Sequence, residues 1–324
     1  MTDPPGPRRW DMGPARWLRG YGPGALRGDL VAGITVAVML VPQSMAYAHL
    51  AGVPPTYGLY ASLVPLVVYP LLGTSLHLAV GVIAIDMLIL RAGLVEMADP
   101  GSQAYVQLAL LVTLMVGAIQ LLMGVARLGF LVNLLSRPVM VGFTSGAAVL
   151  IALSQISALT GMDLEGARVL PGMAWAAAHH AGEVRFLTVL LGSASVVILL
   201  LIRWWKPVVP GPLVVVLLGT VAVAGLGLET GAVEVVGDVP PGLPTFDPPS
   251  LHTGGLVRLL PTATTLALVE FLTVMSLGKI FAARFRYSIA HNRELLAIGA
   301  ANLAGAFFRA LPVSGSFSRT TVNV

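Results

Sequence analysis

Apolar residues occur along the chain in long runs that polar or proline-rich segments separate. Nine runs approach or exceed the length needed to cross roughly 30 Å of hydrocarbon, and a tenth begins near Ser314. The nine runs are Leu30–Leu50, Tyr57–Leu72, Leu76–Leu90, Tyr105–Val125, Pro138–Leu159, Phe186–Ile202, Val208–Leu226, Leu259–Ala282 and Leu295–Leu311. The pattern predicts an all-α, multi-pass integral membrane protein with about ten spans.

A proline-rich segment divides the predicted spans into two groups. Residues 239–250 have the sequence VPPGLPTFDPPS, and its five prolines break any helix. Seven spans precede this segment, and an odd number of spans per repeat makes the second copy enter the bilayer from the opposite side. We therefore predict a cytosolic tail (1–29), a first inverted repeat (30–238), a proline-rich extracellular loop (239–254) and an incomplete second repeat (255–324).

Composition and charge placement support a membrane location. Hydrophobic residues make up 56% of the chain and charged residues 10%, whereas soluble domains carry roughly a quarter charged residues. If the N-terminus is cytosolic, thirteen Lys and Arg residues fall in inside loops and five in outside loops. The positive-inside rule then predicts a cytosolic N-terminus. We expect the membrane to be the plasma (inner) membrane. Because the basic residues are spread over several loops between spans, the net charge of +4 does not indicate a nucleic-acid partner.

The signatures of several other chemistries are missing from the sequence. There is no cysteine for disulfides or thiolate metal sites, no phosphate-cradling Walker motif, and no histidine spacing typical of a metal site. No acid, nucleophile and metal constellation recurs in the spans. We therefore expect no enzyme activity and no cofactor, and we expect a small solute and the lipid bilayer as partners.

Three ordered motifs carry a resemblance to a known family. The first span contains VPQSMAYAHLAGVPPTYGLYASLVP from Val41, and the fifth contains LSRPVMVGFTSGAAVLIALSQI from Leu135. The eighth to tenth spans contain LGKIFAARFRYSIAHNRELLAIGAANLAGAFF followed by PVSGSFSRTTVN, which is the most specific block. In this order the motifs resemble the transmembrane domain of the sulphate permease (SulP) family, called solute carrier family 26 in animals.

The resemblance implies a fold of seven plus seven helices in which a core domain moves against a gate domain. It implies secondary transport or exchange of small anions, such as sulphate, bicarbonate, chloride or a dicarboxylate, by a homodimer. The chain stops at Val324, inside the tenth span, so the last four spans and the family's cytosolic STAS domain are expected to be missing, and the chain alone is not expected to transport. Two alternatives are a nucleobase permease of the same fold and a non-transporting membrane fragment or scaffold.

Spans three and ten are predicted to be discontinuous. Gly81 interrupts the third span, and Pro312, Ser314 and Gly315 precede the helical part of the tenth. Glycine and serine before a helix leave its first backbone N–H groups free to face a ligand, and the helix dipole favours an anion there. Two such helix starts near the bilayer midplane predict an anion site. Its expected contacts are Gly81, Ile83 and Ala84 on one side and Phe317, Ser318 and Arg319 on the other.

Arg319 falls inside the predicted tenth span. A guanidinium in a membrane usually faces a cavity, a partner or a substrate, and its planar fork suits oxyanions. The alternatives are an ion pair with a helix carboxylate or snorkelling to the interface. By resemblance Ser318 presents its N–H and hydroxyl to the anion, although a simple N-cap role is equally compatible. Gln43 and Tyr47 share a helix face, and by resemblance they line the substrate pocket.

Two acidic residues also fall inside predicted spans. The family commonly has a glutamate where this chain has Thr273, and Glu270 lies one turn earlier on the same helix face. Glu270 could carry a coupling proton, or bind sodium with Thr273 and Ser276, whereas an ion pair with Arg319 or with another structural partner is the competing interpretation. Asp86 in span three is interpreted as structural, with direct contact to the substrate as the less favoured alternative because a carboxylate repels anions.

Overall fold

The computed structural model describes residues 21–134, 185–206, 211–227, 242–250 and 253–323, together with residue 209 and scattered positions between 142 and 161. The chain divides into two compact units, one formed by residues 1–136 and 240–324 and the other by residues 137–239. The predicted tail at 1–20, most of span five and part of the proline-rich loop lie outside the described residues.

The first unit contains eight α-helices and two short strands among its described residues. In chain order these are α1 (Pro23–Leu50), α2 (Pro55–Ala61), α3 (Val64–Leu72), β1 (Val80–Gly81), α4 (Ala84–Leu94), α5 (Gln103–Val125), α8 (Thr253–Arg284), α9 (His291–Ala306), β2 (Ser314–Gly315) and α10 (Phe317–Val322). A 3-10 segment at Leu128–Leu134 follows α5. The second unit contains α6 (Phe186–Trp205) and α7 (Gly211–Gly225) among its described residues.

The prediction of several apolar membrane helices is confirmed. Within the described residues, five segments are long and apolar enough to cross a membrane. They are Pro23–Leu50, Pro55–Leu72, Gln103–Val125, Phe186–Trp205 and Leu256–Arg284. The helix edges differ from the predicted ones, because α1 begins seven residues before Leu30 and therefore includes the end of the predicted tail. The inverted-repeat boundaries stay a prediction.

Helices α5 and α9 form the centre of the first unit because small residues let their backbones approach closely. A Cβ added to Gly117 would lie 2.5 Å from the Leu303 nitrogen, and one added to Gly299 would lie 2.7 Å from the Leu121 nitrogen. Neither position can hold a larger residue unless the helices move apart. This rigid pair supports the elements that form the candidate site.

A buried carboxylate fastens the start of α9 to the segment that leads into β1. Glu294 accepts hydrogen bonds from the Tyr69 hydroxyl, from the backbone and hydroxyl of Thr74, and from the Ser75 backbone. Both carboxylate oxygens have partners, so the buried charge is well satisfied. These bonds fix the path of the chain just before β1 and α4.

Candidate functional site

The two discontinuous spans have the same construction, a two-residue strand followed by a short helix. Strands β1 and β2 pair in antiparallel register, with Val80 opposite Gly315 and Gly81 opposite Ser314. Two further hydrogen bonds extend this contact, from Ser316 N to Ala79 O at 2.9 Å and from Ala79 N to the Thr320 hydroxyl at 3.1 Å. The strand pair therefore holds the N-terminal ends of α4 and α10 beside each other.

The short helices α4 and α10, each the helical part of a discontinuous span, are called half-helices below. Arg319 lies buried where the two half-helices begin, with 1% of its surface exposed. Its Nη2 donates to the Val82 carbonyl at 3.0 Å, and its Nη1 donates to Gln43 Oε1 at 3.4 Å. Its Nε has no hydrogen-bond partner. In the described part of the chain no carboxylate pairs with this guanidinium, so its positive charge lies in the protein interior with only neutral partners.

Gly81 makes room for the guanidinium. A Cβ at this position would lie 2.9 Å from Arg319 Nη2 and 3.3 Å from Arg319 Cζ, and it would also press on Leu40. Glycine is therefore required by the close approach of the arginine as well as by the break in the span. Val82 contributes its carbonyl oxygen as an acceptor for Arg319.

The structure brings Gln43 and Tyr47 of α1 to the same place. Gln43 accepts the bond from Arg319, and Tyr47 is near enough to interact electrostatically with the same guanidinium. Helix α1 is held there by a close contact with α2, because a Cβ on Gly58 would overlap the Ser44 carbonyl oxygen at 1.9 Å. The shared face predicted for the two residues thus points towards Arg319.

Three residues precede Arg319 at the start of α10, and their side chains have different surroundings. Ser316 is the N-cap of α10, and its hydroxyl accepts a bond from the Arg319 backbone at 3.5 Å. The simple N-cap interpretation of Ser318 is therefore wrong, because Ser318 lies inside the first turn and is exposed, with its hydroxyl 3.2 Å from that of Ser316. Phe317 is 61% exposed and lies against Phe281, with ring centroids 6.4 Å apart.

On the other half-helix, Ile83 is the N-cap of α4 and Ala84 is its first residue. No side chain caps this end, so the first N–H groups of α4 have no intrahelical partner. Ala84 is buried and Ile83 is half-buried. The start of α4 therefore has backbone donors available, and their contact with an anion stays a prediction.

Glu270 lies in a separate polar cluster that is fully buried between α5, α8 and α9. Its Oε2 accepts hydrogen bonds from Gln120 Nε2 and from Asn302 Nδ2, both at 2.7 Å. Asn302 also bonds the backbone of Val313, accepting from its nitrogen at 2.7 Å and donating to its oxygen at 3.2 Å. The suggested ion pair between Glu270 and Arg319 is wrong, because the two side chains have different partners.

The other acidic and hydroxyl residues named from the sequence are Asp86, Thr273 and Ser276. Asp86 is fully buried in the first turn of α4, and neither of its carboxylate oxygens has a hydrogen-bond partner. The Thr273 hydroxyl donates to the Val269 carbonyl at 2.8 Å within its own helix. Ser276 is half-buried two turns from Glu270.

Sequence reasoning missed Gln120 and Asn302, although both are polar residues within apolar runs. That isolation was the available signal, because amides inside a membrane span usually bond to a neighbouring helix. The sequence alone does not show which helix faces they share. In the structure they connect Glu270 to Val313, which directly precedes β2 and the Arg319 half-helix.

The long apolar helices are those of a multi-pass membrane protein, and two short helices linked by a strand pair lie beside a buried arginine within it. The chain belongs to the sulfate permease family, whose family model matches residues 26–324. It is 40% identical over 297 residues to a Mycobacterium tuberculosis protein named "Probable sulfate transporter", covering 92% of this chain and 53% of the relative. It is 37% identical over 317 residues to sulfate transporter 4.1, chloroplastic, of Arabidopsis thaliana, covering 95% and 46%. The chain spans about half the length of these curated relatives.

Solved structures show the same fold. The transmembrane domain of a cyanobacterial bicarbonate transporter matches with a TM-score of 0.80 and 25% identity, covering 94% of this chain and 78% of that one. The murine solute carrier 26 family member A9 anion transporter in its inward-facing state matches with a TM-score of 0.84 and 21% identity, covering 95% and 54%. The expected likeness to transmembrane domains of this family is thereby confirmed, whereas the seven-plus-seven inverted-repeat arrangement stays a prediction.

Proposed function

We propose that this protein is a secondary transporter or exchanger of small inorganic or organic anions, with sulfate as its first candidate substrate. The observation that carries the proposal is the buried Arg319 guanidinium, which has no carboxylate partner in the described part of the chain. A buried cation without a counter-ion is costly. An anion bound against it supplies the missing charge.

The donor geometry suits an oxyanion. Two of the five guanidinium N–H groups are used by Val82 and Gln43, which leaves donors, including Nε, to bind a second partner. The uncapped start of α4 adds backbone N–H groups and a partial positive charge. In the proposed site the anion contacts Gly81, Ile83, Ala84 and Arg319, with Ser318 and Phe317 on the exposed side and Gln43 and Tyr47 closing the pocket.

Sulfate is preferred among the anions because both curated relatives are named as sulfate transporters. Bicarbonate is the next candidate, since a similar solved domain belongs to a bicarbonate transporter. A nucleobase permease of this fold is disfavoured by the family match and by the uncompensated charge of Arg319, which a neutral base does not neutralise. The scaffold alternative is tested by the same binding experiment.

Glu270 is the proposed carrier of a coupling ion. The positions of Glu270, Thr273 and Ser276 favour coupling to a proton over coupling to sodium. Six residues along a helix correspond to about 9 Å, so Ser276 and Glu270 lie far apart along α8 for ligands of one small cation. Thr273 already donates its hydroxyl proton to the Val269 carbonyl.

A cytosolic N-terminus, a plasma (inner) membrane location and a homodimer remain part of the proposal.

Competition binding with the purified protein in lipid nanodiscs tests the substrate class. We expect labelled sulfate to bind and to be displaced by unlabelled sulfate, with weaker displacement by bicarbonate or chloride. A neutral base such as uracil should not compete. Displacement by uracil, together with no competition between anions, would assign the site to nucleobases. No binding of either class under any condition would leave only the scaffold alternative.

A further inference from the structure

Three arginines occupy the left-handed backbone conformation in which glycine is the preferred residue. Their φ angles are 60° at Arg127, 57° at Arg286 and 58° at Arg309. Each of them lies two or three residues beyond the last residue of a helix, where glycine commonly ends the helix. A side chain in this conformation costs stability, because its Cβ crowds the backbone. A left-handed arginine is therefore expected to have a role for which glycine would not serve.

The three arginines differ in their partners. Arg309 pairs with the Asp247 carboxylate at 2.8 Å. The side chains of Arg127 and Arg286 are exposed, and neither makes a hydrogen bond or an ion pair within the part of the chain that the structure describes. The charges of these two arginines are therefore available to a partner outside the protein.

Arg127 and Arg286 lie on the same face of the first unit, where α5 and α8 end and α9 begins. Two residues after Arg127, the Gly129 N–H donates to Asn292 Oδ1 in the first turn of α9, at 2.8 Å. Arg286 belongs to the six-residue connection between α8 and α9. Arg309 follows the other end of α9, a helix of 16 residues that is about 24 Å long. The two unpaired arginines thus lie together, far from the paired one.

Other basic residues lie at the same face. Lys279 and Arg284 belong to the last two turns of α8, and Arg293 belongs to the first turn of α9. The acidic residue in the first turn of α9 is Glu294, which is fully buried and already accepts several hydrogen bonds. The surface that these residues form with the two unpaired arginines is called the basic face, and it attracts anions.

Exposed apolar side chains directly precede the basic face on the helices that lead to it. Leu122 and Val125 in the last turn of α5 are 68% and 72% exposed, and Ile280 in α8 is also exposed. Both helices are long and apolar enough to cross a membrane. Exposed apolar residues on such helices contact acyl chains, and basic side chains just beyond them reach the headgroups. This order favours a lipid surface over an acidic protein, which would cover the charges and leave the apolar residues in water.

We infer that Arg127 and Arg286 bind the phosphate groups of anionic phospholipids in the leaflet that the basic face meets. The planar guanidinium fork matches two phosphate oxygens, and a headgroup with a net negative charge has no ammonium group that competes for its phosphate. Arg127 and Arg286 are separate from the residues of the proposed anion site, so the inference stands without the proposed function. With the proposed cytosolic N-terminus, this leaflet is the cytosolic one.

Lipid binding to the purified protein tests the inference. Delipidated protein in detergent is mixed with phosphatidylglycerol or phosphatidylcholine, and native mass spectrometry counts the bound lipids. We expect the wild type to prefer phosphatidylglycerol. Arg127→Gln and Arg286→Gln should each lower the affinity for phosphatidylglycerol about fivefold, the usual contribution of one basic residue near an anionic membrane surface. Arg127→Lys and Arg286→Lys keep the charge and should retain most of the preference.

Arg309→Gln is the matched control for these variants. It also removes a left-handed arginine and one positive charge, but at the other end of α9 and from a residue that already has a carboxylate partner. It should leave the preference for phosphatidylglycerol unchanged. Equal binding of the two lipids by the wild type would overturn the inference, and so would an equal loss in Arg309→Gln. Binding of soluble polyglutamate without any lipid preference would assign the basic face to an acidic protein.

Thermal unfolding in detergent separates lipid binding from a role in the fold. Arg127→Gly and Arg286→Gly relieve the left-handed conformation, so both should unfold at a higher temperature than the wild type when no lipid is present. Added phosphatidylglycerol should stabilise the wild type but not the variant that carries both glycines, because a ligand stabilises only the protein that binds it. A lower unfolding temperature of both single variants without lipid would show that the two arginines serve the fold, which contradicts the inference.

Discussion

The Arg319 guanidinium donates to the Val82 carbonyl oxygen at 3.0 Å, across the strand pair that joins the two half-helices. Arg319 follows β2 and Val82 follows β1, so one bond connects the two discontinuous spans at the place where their helices begin. Backbone acceptors of this kind orient a guanidinium without neutralising it. The arginine is therefore held in a fixed position with its charge available to an anion.

The first prediction concerns the space that Gly81 leaves for this arginine. Gly81→Ala places a Cβ 2.9 Å from Arg319 Nη2 and strains a backbone whose φ is +155°, so the guanidinium or β1 must shift and the contact with the anion is weakened. We expect sulfate affinity to fall about tenfold, a part of what one charge-assisted bond contributes. The measurement is equilibrium binding of labelled sulfate to the purified variant.

Gly315→Ala is the matched control for Gly81→Ala. Gly315 lies in the partner strand, but a Cβ there meets only the ends of the Leu78 and Leu277 side chains, at 3.0 and 3.3 Å. This variant should bind sulfate nearly as well as the wild type. Equal losses in both glycine variants would show that the strand pair tolerates no side chain, and that Arg319 has no special part in the effect.

The second prediction concerns Asn302, whose amide joins Glu270, Gln120 and the Val313 backbone. Asn302→Leu keeps most of the side-chain volume but leaves the buried Val313 N–H without an acceptor and removes a donor from Glu270. We expect the free energy of unfolding to fall by about 3 kcal/mol, since each buried unsatisfied group costs roughly 1–3 kcal/mol. Reversible denaturation in detergent measures this change.

Asn323→Leu provides the comparison for Asn302→Leu. The Asn323 amide donates one bond, to the His77 carbonyl at 3.1 Å, and the side chain is half-buried. We expect a loss of about 1 kcal/mol, typical of a single partly exposed hydrogen bond. A loss in Asn302→Leu no larger than this would mean that the cluster does not fasten α9 to the Val313 segment.

The sequence predicted the apolar spans and the discontinuous spans three and ten, but it did not predict the polar cluster, and the anion contacts of the candidate site stay a prediction. Apolar run length indicates spans directly, and the glycine and serine pattern indicates where spans three and ten break. The face of each helix depends on tertiary packing, however, so the bond from Gln120 to Glu270 could not be inferred from the chain. The suggested pairing of Glu270 with Arg319 was wrong for the same reason: both charges lie inside spans, but the helices turn them towards different neighbours.

The third prediction concerns orientation in the membrane. The chain has no cysteine, so single introduced cysteines can be labelled without background. With a cytosolic N-terminus, Ala25→Cys and Ala283→Cys should resist an impermeant thiol reagent added to intact cells, whereas Asp99→Cys should react. All three positions are exposed in the structure, so burial in the protein does not explain protection. Labelling of Ala25→Cys from outside would reverse the proposed orientation.

The sulfate affinity of Arg319 variants tests the central claim, that this guanidinium binds the transported anion, most directly. Arg319→Ala should weaken binding by about 1.5–3 kcal/mol, or roughly tenfold to a hundredfold, and Arg319→Lys should give an intermediate loss because it keeps the charge without the planar fork. Arg309→Ala is the control, since Arg309 is a half-exposed arginine that already pairs with Asp247 at 2.8 Å, and it should bind as the wild type does. Wild-type affinity in Arg319→Ala would contradict the account and leave the anion to be held by backbone donors alone.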